Sequence, residues 1–144
     1  ERSGLDILYR QLLPEDAAAE QCTFDVVLNM EVIEHVADRR NFMEACCALV
    51  KPGGLMVCST LNRTFKSLAF AKIGAEYILQ WLPHGTHDWR KFVKPSEFCA
   101  LLRKDGFTIA DLKGLTYNLL YDEWTLTNDF SVNYLILAKK QEIV

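Results

Sequence analysis

The sequence runs to 144 residues, half of them hydrophobic and 24% charged, with 19 acidic against 16 basic side chains and a formal net charge of −3. That is enough chain for one domain with a real core, and too much apolar content for a disordered segment. Lysine and arginine occur at most in pairs, as at Arg39-Arg40 and Lys139-Lys140, so no nucleic acid partner is expected.

In chain order, Gly4 to Tyr9 reads as a short strand. Pro14, at a first helical position, is followed by Glu15, Asp16 and three alanines, which favours a short helix. Phe24 to Met30 is a second, largely apolar strand, of the kind found in the middle of a parallel sheet with both faces covered. Asp38 is placed to cap a helix whose inward face is Phe42, Ala45, Cys46 and Leu49, and Lys51-Pro-Gly-Gly54 should stop it. Leu55 to Thr60 is a third strand. Strand, helix, glycine turn and strand make a βαβ unit and point to an open α/β sheet.

Phe70, Ile73, Tyr77, Ile78 and Trp81 form a helical stripe within Phe65 to Leu82. The stripe either packs on the sheet or faces a bilayer surface; Lys72 and Glu76 make it too polar to span one. Pro83 to Asp88 is a loop, Trp89 to Val93 is ambiguous, and Lys94 to Leu102 is a helix with Phe98, Leu101 and Leu102 inward and Gly106 beyond its end. Phe107 to Leu112 is a strand, Tyr117 to Asp129 a polar and aromatic excursion, and Val132 to Ala138 the last strand. Cys22, Cys46, Cys47, Cys58 and Cys99 are odd in number and lack a C-x-x-C pair, so reduced, mostly buried thiols are expected. With no secretory leader at its start, the chain reads as cytoplasmic.

The chemistry is concentrated in Asn29-Met-Glu-Val-Ile-Glu-His-Val36, directly after the second strand. On a helix, Glu31, Glu34 and His35 would share one face, where carboxylate and imidazole donors can hold a divalent cation.

From Phe24 to Lys139 the sequence resembles the class I S-adenosylmethionine-dependent methyltransferases. The FDVV strand, the EHV after it and LVKPGG carry that likeness. NMEVIEHV, STLNRTFKS, GAEYILQWLPHGTHDW and KFVKPSE, with GLTYN and VNY near the end, narrow it to the ubiquinone-biosynthesis O-methyltransferases. The resemblance implies an α/β, Rossmann-like sheet of order 3-2-1-4-5-7-6, of which this chain holds strands 3 to 7. It implies a single domain over 1–144 that lacks the N-terminal strand and glycine-rich loop for the methionine end of the cofactor, and so weak or absent cofactor binding and no activity by the 144 residues alone. A sheet so opened is expected to rearrange or to form a homodimer through its exposed edge.

The resemblance further implies O-methylation of a polyprenylated phenol, catechol or quinol, with S-adenosylmethionine as donor and a divalent metal, Mg²⁺ by family assignment. Glu31, Glu34 and His35 match the metal positions; the alternative for the same face is a metal-free role in packing or substrate contact. Met30 matches a cofactor contact on the adenine side, or is a strand-end core residue. His87 matches a position suited to a general base, or is a hydrogen-bonded loop residue. His84 is given no role, and Asn62 and Arg63 read as a solvated turn near the substrate side. A tail that stays in lipid implies peripheral contact with the inner face of the membrane. Two rival readings are a metal-independent methyltransferase of the same fold acting on a small molecule, and a non-catalytic module that presents the Phe65 to Leu82 helix to lipid.

Overall fold

A computed structural model describes residues 4–69, 88–118 and 121–142. Pro14 opens α1 (Pro14–Ala19), with Glu15 and Asp16 in the first turn where the helix dipole favours acids. β1 (Phe24–Met30) leads through a turn to α2 (Arg39–Ala48). The Asp38 carboxylate accepts hydrogen bonds of 3.0 Å from the backbone N–H groups of Arg40 and Asn41, a cap worth about 1 kcal/mol. At the far end of α2, Lys140 Nζ donates to the Cys47 and Val50 carbonyls at 2.8 Å each, placing a cation where the dipole favours one.

β2 (Val50–Leu61) starts directly after the helix. Phe24 pairs with Val50 and Val26 with Leu55, so Lys51–Gly54, expected as a turn before the strand, bulges out within it. Gly53 has φ +75°, and a Cβ on Gly54 would stand 2.8 Å from the Asp25 carbonyl oxygen. Only glycines allow that close approach.

After β2 come α3 (Phe65–Leu68), a 3₁₀ turn at Trp89–Lys91, and α4 (Pro95–Lys104). Gly106, at φ +81°, turns the chain into β3 (Phe107–Asn118), which pairs with β4 (Glu123–Thr127) as a hairpin before β5 (Asn133–Lys140). The sheet order is β1-β2-β5-β3-β4. β1 and β2 are parallel and the other pairs antiparallel, so the last strand of the chain is inserted in the middle. The first four strands in that order correspond to strands 4-5-7-6 of the expected sheet.

One face of the sheet carries the core. Met56 and Cys58 on β2, with Tyr134, Ile136 and Ala138 on β5, pack under Phe42, Met43, Cys46 and Cys47 of α2 and Phe98, Cys99 and Leu102 of α4. Tyr134, fully buried, donates its hydroxyl to the Val93 carbonyl at 2.9 Å, and burial pushes its phenol well above the usual range. Four of the five free cysteines are buried as expected, and burial raises the Cys46 and Cys47 thiols to about 12.

Three expectations are corrected. Residues 4–9 form no strand; among the described residues nothing pairs with them, and an extended segment without a neighbour leaves its backbone to water. β1 is an edge strand, with Phe24, Val26, Leu28 and Met30 all exposed, because no strand lies beyond it among the described residues. The excursion from Tyr117 to Asp129 contains β4, whose Trp124 ring packs at a tilt against Tyr117 across the hairpin, centroids 5.0 Å apart. Of the stripe from Phe65 to Leu82, α3 covers Phe65–Leu68; Ile78, Trp81, His84 and His87 lie outside the described residues.

Candidate functional site

The parallel strands β1 and β2 end side by side, with Met30 opposite Ser59, and the turn after β1 leads away from that end. Carboxyl ends of parallel strands are where open α/β sheets bind ligands. The segment from Glu31 to Ala37 is a turn and not a helix. Glu31 adopts φ +53°, a left-handed conformation that costs a side-chain-bearing residue on the order of 1 kcal/mol. Its N–H donates to the Ser59 carbonyl oxygen at 3.0 Å and to the Ser59 hydroxyl at 3.2 Å, so the strained corner is pinned to β2.

The two carboxylates after this corner are held by neighbouring hydroxyls. Ser59 Oγ donates to Glu31 Oε1 at 2.7 Å, and Thr60 Oγ1 donates to Glu34 Oε2 at 2.8 Å. Glu34 is only 3% exposed; Glu31 is exposed as a residue, although its hydrogen bond to Ser59 is partly buried. Burial raises the Glu31 carboxyl from 4.5 to about 7; the Ser59 hydrogen bond opposes this and the neighbouring Glu34 adds to it. A carboxyl whose charge is disfavoured by burial and by a neighbouring acid suits a retained proton or a cation at its side.

The raised value sets a pH dependence. Folded Glu31 keeps its proton to about 7, whereas in the unfolded chain it ionises near 4.5, so stability falls as pH rises through that window. Glu31→Gln, which cannot ionise, is expected to flatten the fall. Thermal unfolding should show a gain on the order of 1 kcal/mol at about pH 8 and little change at about pH 4, after allowance for the residue's exposure. A variant that tracks the parent at both pH values would contradict the assignment.

His35 stands apart. Its backbone N–H closes the turn onto the Val32 carbonyl at 2.9 Å, and its exposed side chain lines a cleft of about 650 Å³ with Asp38, Arg39 and Lys91. Among the described residues no three His, Cys, Asp or Glu side chains converge on one point. The three-ligand face expected from the i, i+3, i+4 spacing is therefore not assembled, because that spacing shares a face only on a helix. Glu31 and Glu34 are brought together; Met30 sits 43% exposed at the end of β1; His87 lies outside the described residues.

Asn62 is 7% exposed and donates to the Phe130 carbonyl at 2.8 Å, and Arg63 is paired with Glu97, so both are fastenings and not a solvated turn. Ser59 and Thr60 were not singled out from the sequence. Their only signal there is two hydroxyl residues at the end of an apolar strand, which does not reveal what they touch.

A family model described as a methyltransferase domain matches residues 4–112. Ubiquinone biosynthesis O-methyltransferases from Cereibacter sphaeroides and Dinoroseobacter shibae are 56% and 54% identical to this chain over 136 residues, covering 94% of it and 55% of each relative. The chain thus spans about half the length of the curated relatives it matches. Among solved structures, a SAM-dependent methyltransferase from Thermotoga maritima aligns with a TM-score of 0.56 at 16% identity, over 83% of this chain and 57% of that one. Magnesium protoporphyrin IX methyltransferase from Synechocystis aligns at 0.53 and 19%, over 88% and 49%. These two likenesses concern the fold. With the family match extending from the first described residues through β1, the Glu31–Glu34 corner, β2 and α4 into β3, the chain belongs to the methyltransferase domain family.

Proposed function

We propose that this protein takes part in S-adenosylmethionine-dependent O-methylation of a polyprenylated phenol or catechol in ubiquinone biosynthesis. The observation that carries this reading is the 56% identity, over 94% of the chain, to a relative of that name. The acid pair at the end of the parallel strands is consistent with it. A phenolic oxygen has a pKa of about 10 and is a poor nucleophile near neutrality. As the oxygen attacks the methyl carbon, an O–C bond forms, the S–C bond of the sulfonium breaks with its electrons staying on sulfur, and the phenol proton passes to a base. His87 is the base in this reading, by its match to the family position, and Met30 faces the adenine side of the donor.

Glu31 and Glu34 fit a hard divalent cation, Mg²⁺ or Mn²⁺, since burial and the neighbouring Glu34 disfavour the Glu31 charge and a cation between the two carboxylates would offset that. Such an ion would lower the pKa of a hydroxyl it touches and help to orient it. His35 is not part of that donor pair in this structure. Its separation favours a second reading, methyl transfer by the same fold without metal. The two part in one assay of the protein that carries this chain, with S-adenosylmethionine and a polyprenyl phenol. Turnover that falls at least about tenfold in EDTA and returns with Mg²⁺ supports the first; turnover indifferent to EDTA supports the second; no turnover with any such phenol removes both.

For a substrate with an isoprenoid tail, peripheral contact with a membrane completes the proposal. Phe65, 83% exposed, stacks on Trp89 at 6.1 Å, with Lys66, Arg90 and Lys91 adjoining in sequence, an aromatic and basic combination suited to a lipid interface. Among the described residues no helix is long and apolar enough to cross a membrane. The open β1 edge is proposed to pair with a second copy when the 144 residues stand alone.

A further inference from the structure

We propose that Ser59 and Thr60 are positioning residues that fix how Glu31 and Glu34 present their carboxylates. The inference rests on the reading of that pair as a cation site. Ser59 is 2% exposed and Thr60 fully buried, so water does not compete for either hydroxyl. Each donates to one oxygen of one carboxylate, at 2.7 and 2.8 Å, leaving the other oxygen of each outside these two hydrogen bonds.

Successive residues of a strand point to opposite faces. Ser59 therefore lies on the face of Leu55 and Val57, and Thr60 on the core face with Met56 and Cys58. The two hydroxyls reach the carboxylates from opposite sides of the end of β2, one acid to each. Ser59 also accepts the Glu31 N–H on both its hydroxyl and its carbonyl, so one residue sets the backbone corner and the carboxylate together. Hydrogen bonds behind a ligating carboxylate hold it in one orientation, and losing them typically weakens metal binding 10- to 100-fold. Neither hydroxyl touches the substrate in this proposal; both act through the acids.

The test is Mn²⁺ alone, titrated by electron paramagnetic resonance into the protein that carries this chain. Ser59→Ala and Thr60→Ala are expected to weaken Mn²⁺ binding about 10- to 100-fold, and Thr60→Ser to restore it to within about threefold. Parent-like binding by Thr60→Ala, or a Thr60→Ser variant as weak as Thr60→Ala, overturns the proposal. If the parent itself binds no Mn²⁺, the cation reading fails and positioning is judged separately. In that case the Glu34 carboxyl carbon, followed by ¹³C NMR, should shift in Thr60→Ala and return in Thr60→Ser. An unmoved resonance overturns the positioning role.

Discussion

Glu34→Ala, made in the protein that carries this chain, is expected to lower methyl transfer to a polyprenyl phenol by about 100-fold or more, with S-adenosylmethionine binding kept within about threefold. Glu34 is buried at the carboxyl end of the parallel strands and takes the Thr60 hydroxyl at 2.8 Å. Removing it deletes half of the acid pair and one of the causes that raise the Glu31 carboxyl. It also strands a buried hydroxyl, at a stability cost of about 1 to 3 kcal/mol. Glu34→Gln separates the two consequences, because the amide oxygen still accepts from Thr60 while the charge is gone. A loss in Glu34→Gln as large as in Glu34→Ala assigns the effect to charge. Radiolabelled methyl transfer measures both, with calorimetry for donor binding, and a Glu34→Gln variant within about threefold of the parent rate would remove Glu34 from the chemistry.

Taken alone, the 144-residue chain should self-associate, and Val26→Lys with Leu28→Lys should return it to a monomer. Among the described residues β1 is an edge strand with one side of its backbone unpaired, and its apolar side chains stand 43 to 66% exposed. Two copies meeting antiparallel about Val27 would set Val26 against Leu28 and Phe24 against Met30. Asp25 would then lie opposite Asn29 and not another acid, and its charge is already met by Lys51 at 3.0 Å. A two-fold axis permits that pairing, and apolar cross-strand pairs favour it. Light scattering during gel filtration decides: a monomeric mass for the unmodified chain at about 50 μM, or an unchanged dimer in the double-lysine variant, counts against pairing through this edge.

Local features of the fold were legible because their causes are local. Pro14 starts a helix through its own fixed φ, Asp38 caps one through groups two and three residues on, and Gly106 turns the chain by its own freedom at φ +81°. The hairpin strand β4 was missed although Trp124 and Leu126 alternate with Glu123, Thr125 and Thr127, since five half-apolar residues look like a loop until Tyr117 is known to lie opposite Trp124. The spacing of Glu31, Glu34 and His35 misled for the converse reason. It is a statement about helices, and the segment is a turn.

By itself, then, the sequence determined the βαβ unit of β1, α2 and β2, the two core helices with their inward faces, the buried thiols, and the acids worth watching. Tertiary structure alone decided that β5 enters between β2 and β3, that β1 lies at the edge of the sheet among the described residues, and that Glu31 and Glu34 stand together while the His35 side chain lines a separate cleft. The division follows contact distance along the chain. Caps, turns and helical faces depend on neighbours a few residues away, whereas Ser59 reaches Glu31 across 28 residues and Thr60 reaches Glu34 across 26. Such contacts exist only once the two parallel strands have been brought side by side.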